Sequence, residues 1–381
     1  MVWIILLMLI LSIAYAFVIF NYHRHWNGLK TFERSALPEI DSAFISVIIA
    51  ARNEEKNLPA LIDSLLAQTY SQFEVILIND HSTDATENIL QQITDSRFRY
   101  INLSDYVKDN ITAYKKKAIE TGIHISRGEL IVTTDADCKM GPQWLSDIVS
   151  FYQQTAAQCI AAPVKIDPGS SLLGLFQSID FCTLQGITAA AVSSHTHMMC
   201  NGANFIYMKK AFNEVRGFEG IDHIPTGDDM LLMQKIYDQY PDKVFYLKSE
   251  NTIVTTEAAA GWREFFNQRI RWASKSTDYT DKKMLRILMV VYFYNLLFPV
   301  LALTMFWYDK GWMMLLLFLL FKILVEFPFV ASVAKFFGLS KLMWYFPFLQ
   351  PLHILYTIIA GWLGKFGSYQ WKSRKVKTAS N

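Results

Sequence analysis

The first twenty residues of the chain form an almost unbroken apolar run, and three more apolar stretches, 285–307, 312–333 and 342–363, crowd the other end. A helix that crosses a bilayer takes about 20 predominantly apolar residues, so each stretch is long enough to span. This divides the chain before anything else is considered. Its ends belong in lipid, and they enclose a middle of ordinary globular composition. The high hydrophobic share, 52% over 381 residues, comes from the ends.

No positive charge precedes the first run, whereas Arg24 and Lys30 follow it. A secretory signal peptide carries its charge ahead of the apolar core. Although Ala14-Tyr15-Ala16 resembles a cleavage site, the asymmetry therefore favours an uncleaved anchor, N-terminus outside and the following domain inside. Near the other end, Trp307, Tyr308 and Trp312 sit where interfacial aromatics belong. Pro347 and Pro351 interrupt the last stretch. The tail carries Lys365, Lys372, Arg374, Lys375 and Lys377, which prefer the cytoplasm. One span before the middle and three after it would leave that tail outside, so part of 342–363 is expected to be re-entrant or interfacial. A net charge of +2 gives no reason to expect a nucleic-acid partner. Cys138, Cys159, Cys182 and Cys200 are scattered without a C-x-x-C pair, which fits reduced thiols facing the cytosol.

In the middle, strand-like and helix-like runs alternate. Residues 45–50, 73–78, 98–103 and 130–133 read as strands, and 57–67, 86–93 and 116–125 as helices. Leu58, Leu61, Ile62, Leu65 and Leu66 fall on one helix face. The pattern predicts an α/β domain with a mostly parallel sheet. Polar residues gather after three strand ends: Arg52-Asn53-Glu54, Asn79-Asp80 and Asp135-Ala136-Asp137. Ligands of open α/β sheets bind at the carboxyl ends of strands, so one shared site is expected. Asp135-x-Asp137 offers two carboxylates to a hard divalent cation such as Mg²⁺ or Mn²⁺, although an acidic turn after a strand is also common. His195, His197 and His223 lack a fitting third ligand and read as loop or core histidines.

Together these motifs resemble glycosyltransferase family 2, the inverting enzymes with a Rossmann-like GT-A fold, over residues 46–275. The similarity is to the membrane branch that contains cellulose, chitin and hyaluronan synthases and ceramide glucosyltransferase. The resemblance implies a nucleotide-sugar donor, a lipid-linked or polysaccharide acceptor, a divalent metal, and a place in the cytoplasmic membrane with the catalytic domain on the cytoplasmic side. The stretch 47–55, with Ala50, Arg52 and Glu54, looks like the first strand and donor loop. The family usually shows two acids where this chain has Asn79-Asp80, so the base- or ribose-binding role passes to Asp80. Lys115, first of three consecutive lysines, is similar to a family lysine near the donor, and Asp135 and Asp137 match the metal-binding D-x-D. Residues 201–205 resemble the segment lining the acceptor side.

Gly227-Asp228-Asp229 stands where the family keeps its general base, with Asp229 in that role and Asp228 beside it. The same acids suit a helix N-terminus. Gln268, Arg271 and Trp272 match Q-x-x-R-W and share a helix face. The implied role of Arg271 is diphosphate binding through its planar fork. Trp262, Phe265 and Phe266 lie on another face, expected to rest in the membrane interface.

The chain then divides into an anchor (1–22), a GT-A domain (44–255), an interface helix with Q-x-x-R-W (256–280), C-terminal spans (285–364) and a basic tail (365–381). The competing class is a non-catalytic membrane protein that keeps a nucleotide-sugar fold for binding or assembly. Retention of Asp135, Asp137, Asp229 and the Gln268–Arg271–Trp272 set argues against it, since a binding protein needs no base.

Overall fold

The computed structural model describes residues 2–34, 43–107, 112–275, 281–371 and 374–377, with backbone alone for 368–377. Residues 276–280 of the expected interface helix, and Lys372 and 378–381 of the expected tail, lie outside the described residues. The chain divides into two compact units. One takes Met1–Leu29, Pro168–His197 and Ala258–Asn381; the other takes Lys30–Asp167 and Met198–Glu257.

The chain begins with α1 (Val2–Gly28), which runs two turns beyond the apolar stretch and buries Tyr22 and Trp26 there. Strands and helices then alternate: β1 (Ile45–Ala51), α2 (Leu58–Leu66), β2 (Phe73–Asn79), α3 (Thr86–Gln91), β3 (Phe98–Asn102), α4 (Tyr114–Ile125) and β4 (Leu130–Thr133). The elements read from the sequence pattern are present. Every residue of β2 and β4 is buried, the mark of strands covered on both faces. β5 (Cys138–Lys139), α5 (Trp144–Thr155), β6 (Cys159–Ala161) and β7 (Val164–Asp167) follow. α6 (Leu172–Ser193) is a 22-residue helix inside the range read as one domain, and it belongs to the unit that holds α1.

The chain returns as β8 (Phe205–Met208), α7 (Lys209–Glu214), α8 (Met230–Gln239), β9 (Val244–Tyr246) and β10 (Val254–Glu257). It closes with α9 (Trp262–Ser274), α10 (Lys282–Leu303), α11 (Gly311–Phe336), α12 (Phe346–Phe366) and the hairpin β11 (Ser368–Trp371) and β12 (Arg374–Lys377).

The main sheet has the order β3-β2-β1-β4-β8-β6-β9. Pairing is parallel from β3 through β4 and between β6 and β9, and antiparallel on either side of β8. The α/β, mostly parallel sheet is therefore as expected. Two registers position the site. Ala51 pairs with Asn79, so β1 and β2 end level and deliver Arg52 and Asp80 to one edge. Thr133 pairs with Phe205 in the antiparallel sense, so the turn that opens β8 meets the end of β4.

Among the described residues, four helical segments are long and apolar enough to cross a membrane: Val2–Gly28, Lys282–Phe306, Gly311–Phe336 and Phe346–Phe366. They characterise a membrane protein. The last is one continuous helix: Pro347 sits in its first turn, where a missing N–H costs nothing, and Pro351 lies inside it.

At the opposite end of the sheet, Glu74 is fully buried. Its Oε1 accepts from Ser46 Oγ at 2.7 Å and Arg127 N at 2.6 Å, and its Oε2 from Arg127 Nε at 3.0 Å. Gly128 completes the junction, because a Cβ there would stand 2.4 Å from the Ser46 nitrogen. Burial pushes the Glu74 carboxyl up, but the Arg127 N–H, the Ser46 hydroxyl and the guanidinium outweigh it and hold the carboxyl below its ordinary value. A depressed carboxyl stabilises the fold above its unfolded pKa, about 4.3, and that contribution is lost as pH falls through the folded value. Glu74→Gln is expected to cost about 1–3 kcal/mol at neutral pH. The gap to the parent should close as the medium is acidified below about pH 4. Unfolding curves across that range check it; a gap that is constant with pH would contradict the assignment.

Candidate functional site

The loop after β1 is tied to the loop after β2. Arg52 Nη1 donates to the Asp80 carbonyl at 2.8 Å and the His81 carbonyl at 3.2 Å, and stands 3.9 Å from Asp80 Oδ1. Asp80 is buried at the strand end, and His81 Nδ1 lies 2.9 Å from its Oδ1. The His81 ring stands edge-on to Tyr114, the first residue of α4. Asn53 has φ 53°, which an Asn tolerates, and its Oδ1 accepts the Thr83 N–H at 2.8 Å. Ala50, one residue from the end of β1, is half-buried and pairs with Ile78 of β2. Glu54 is buried and accepts from Asn57 Nδ2 at 2.8 Å. Asn79, which replaces an acid in the pattern, accepts the Ser82 N–H on Oδ1 at 3.1 Å and donates from Nδ2 to Asn102 Oδ1 at 2.8 Å, and so holds the loop.

A second group forms beside it, at the end of β4. Lys115 Nζ lies 2.8 Å from Asp135 Oδ1 and 3.1 Å from Asp228 Oδ2. Asp229, also buried, caps α8: Oδ1 accepts from Met230 N at 2.7 Å and Oδ2 from Gly202 N at 3.1 Å. Gly202 permits this closeness, since a Cβ there would be 3.2 Å from Asp228 Oδ2 and 3.4 Å from Lys115 Nζ. Thr133 Oγ1 donates to the Gly202 carbonyl at 3.1 Å and locks that turn onto β4. The three lysines part company. Lys116 is buried and donates to the carbonyls of Ile221 and Ile224, and Lys117 pairs with Glu120. Lys115 is the one that reaches the acids. Burial opposes its charge, but Asp135 and Asp228 outweigh that and hold the ammonium above the ordinary lysine range.

Asp137 is half-buried, and its Oδ1 accepts from the buried Cys138 thiol at 3.6 Å. Burial, then Asp137 and Asp135, push that thiol up. Among the described residues no three His, Cys, Asp or Glu side chains group to hold a metal. The Asp135–Asp137 donor set is oxygen-only and partly open. That fits a hard cation completed by diphosphate and water, the usual mode for Mg²⁺, and does not fit a cation held by protein alone. His223 is exposed, and burial pushes His197 down to about 4.

Gln268, Arg271 and Trp272 lie on α9, in the other unit. Gln268 Oε1 is buried and accepts no hydrogen bond among the described residues. The Trp272 ring lies 5.6 Å from Phe181 and under the Arg269 guanidinium at 4.4 Å. One expectation is corrected. Phe265 does not rest in the interface: it is fully buried against Phe176 at 5.7 Å and Tyr356 at 5.5 Å. Helices α6 and α12 cover that side of α9, and neither neighbour is visible in the periodicity of α9 itself. Trp262 remains exposed. Asp180, the ion-pair partner of buried Arg269, escaped the sequence reading. Its signal was available: it is the sole charged residue of α6.

The description "Glycosyl transferase family 2" matches residues 46–216. Poly-beta-1,6-N-acetyl-D-glucosamine synthase of Staphylococcus epidermidis is 24% identical over 260 residues, 64% of this chain and 60% of that protein. UDP-Glc:alpha-D-GlcNAc-diphosphoundecaprenol beta-1,3-glucosyltransferase WfaP of Escherichia coli is 29% identical over 134 residues, 35% of this chain and 51% of that protein. The matches thus span less than two thirds of either relative. The mannosyltransferase PcManGT from Pyrobaculum calidifontis, solved with GDP-Man and Mn²⁺, has a TM-score of 0.59 at 14% identity over 94% of this chain and 98% of its own. It shares the fold.

Lys115→Met leaves Asp135 and Asp228 facing each other without their cation. The expected loss of stability at neutral pH is about 1–2 kcal/mol, a charged hydrogen-bond contribution reduced for the partly exposed Asp135. A raised lysine stabilises the fold below its ordinary pKa of about 10.4 and loses that contribution only as pH rises through the folded value. The deficit should therefore be flat from about pH 6 to about pH 9. Thermal unfolding of both proteins over this range is the check, and a variant as stable as its parent at neutral pH would contradict the bridge.

Proposed function

We propose that this chain, whose residues 46–216 match glycosyltransferase family 2, moves a sugar from a UDP-sugar, with inversion, to a lipid-linked or polysaccharide acceptor at the cytoplasmic membrane. The observation that carries the reading is the meeting of Lys115, Asp135, Asp228 and Asp229 around Gly202, at the carboxyl end of β4. A site at that place in an α/β sheet is where ligands bind. Nucleotide sugars are cytosolic, and Arg24 and Lys30 after the first span and Lys282, Lys283 and Arg286 at the second favour a cytoplasmic domain.

In this reading Asp80 and Arg52 bind the nucleoside end of the donor. Asp135 and Asp137 face the diphosphate and would hold the divalent cation. When bound, that cation offsets charge developing on the leaving nucleoside diphosphate. For Arg271 the Q-x-x-R-W resemblance implies diphosphate binding through its planar fork. Lys115 keeps the acids of the two sides at a fixed spacing. Asp229 removes the proton of the acceptor hydroxyl, with Asp228 as the first alternative. Each Asp229 oxygen accepts a backbone N–H, which fixes the direction of the carboxylate. The names of the relatives, one acting on a diphosphoundecaprenol acceptor and one making a polysaccharide, support both acceptor classes.

Asp229→Asn separates chemistry from binding. Asn caps a helix as well as Asp does, so α8 is kept while basicity is lost. Transfer should fall at least ~10²-fold, the lower end of what a positioned base contributes, while UDP affinity in the presence of Mn²⁺ stays unchanged. Arg271→Ala should weaken both. Transfer assays and calorimetry on the two variants decide. Near-parental transfer by Asp229→Asn moves the base to Asp228, and outright loss of UDP binding makes Asp229 a donor-site or structural residue.

A further inference from the structure

Helix α6 presents three consecutive grips to α9 and the segment before it. The Gln177 side-chain amide makes a reciprocal pair with Ala259: Nε2 donates to its carbonyl at 3.0 Å, and Oε1 accepts its N–H at 3.0 Å. Asp180 Oδ2 stands 3.0 Å from Arg269 Nη2, with both side chains nearly fully buried. The Phe181 ring lies against Trp272. Gln177, Asp180 and Phe181 stand at i, i+3 and i+4, one face of a helix. α12 closes the arrangement, with the Tyr356 hydroxyl donating to Asp180 Oδ1 at 2.5 Å. The Arg269 guanidinium is further enclosed by three aromatic rings, Trp272 at 4.4 Å, Phe265 at 5.0 Å and Tyr356 at 5.8 Å.

A buried ion pair is a poor device for stability, because desolvation offsets most of the attraction, whereas it fixes geometry well. The pair sits next to what it would fix. Arg269 lies inside the Gln268–Trp272 segment, flanked by Gln268 on one side and, two residues on, by Arg271. We infer that Asp180 and Tyr356 are positioning residues: acting through Arg269, they set the rotation of α9 and hence the directions in which Gln268, Arg271 and Trp272 point. Gln177 fixes the entry to the helix, and Phe181 fixes the Trp272 ring. The inference rests on the proposed role of Arg271 for its catalytic consequence, but the latch itself does not depend on that role.

The test uses the full chain in detergent or nanodiscs, with Asp180→Asn and, in case that variant does not fold, Tyr356→Phe, which keeps the ion pair and removes one hydrogen bond. Two readouts are taken. Hydrogen exchange of residues 262–274 should accelerate about tenfold, the effect of losing a hydrogen bond to a charged group, while β1, β2 and β4 exchange as in the parent. Sugar transfer and UDP–Mn²⁺ affinity should fall in the parental background but fall no further in an Arg271→Ala background, because one residue acting through another is non-additive.

Unchanged exchange in α9 with either variant overturns the latch. Accelerated exchange with losses that multiply across the Arg271→Ala background leaves a structural bond and overturns the positioning role. If Arg271→Ala alone changes neither transfer nor UDP affinity, the motif's proposed role fails, and the exchange data still judge the latch.

Discussion

Three aspartates and one lysine set the terms for the sheet unit. Asp135 and Asp228 both lie within 3.1 Å of one nitrogen, so they stand at most about 6 Å apart, where two like charges repel by about 3 kcal/mol at an effective dielectric near 20. With Asp229 adjacent in sequence, such a group persists in a folded chain when a cation compensates it. Lys115 is that cation. Much of the local architecture follows from bringing it there: α4 starts at Tyr114 to aim it, Lys116 is buried to hold the segment before Asp228, and position 202 is a glycine so that the turn can approach. The parallel order β3-β2-β1-β4 and the antiparallel entry of β8 carry those pieces to one edge.

The same compensation explains why the acids are useful. Lys115 offsets only part of the negative charge of Asp135, Asp228 and Asp229, and the charge left over suits a divalent cation that arrives with a diphosphate. The membrane-associated unit uses a related device for a different end. There the compensated charges, Asp180 and Arg269, are buried among aromatic rings, and the outcome is orientation of a helix rather than an open site.

The alternating half of the sheet unit was legible because its strands are short β-branched runs and its helices carry a single apolar stripe: Ile45–Ala51 and the Leu58, Leu61, Leu65 face required nothing else. Asp80, Asp135 and Asp137 were legible because they follow strand ends, and Asp228 and Asp229 because Gly227-Asp228-Asp229 resembles a family motif. The second half was not. β6, β8 and β9 are three or four residues long, too short for periodicity, and the β5-β10-β7 sheet joins segments far apart in sequence. α6 is apolar on most sides, so it shows no stripe, and its one charge looks like an anomaly until Arg269 is found beside it. The burial of Phe265 was misread for the same reason: what covers α9 is supplied by chain some 90 residues away on either side, and local pattern carries no trace of it.

The most direct test of the central claim is sugar incorporation by membranes that contain the full chain, supplied with labelled UDP- and GDP-sugars one at a time with Mn²⁺ or Mg²⁺. The account predicts label in a lipid-extractable or polymeric product from a UDP-sugar, abolished when the divalent cation is chelated and absent from membranes carrying the chain with Asp135 and Asp137 both changed to Ala. No incorporation and no nucleotide-dependent binding with any donor would contradict it and leave a nucleotide-sugar fold kept for assembly.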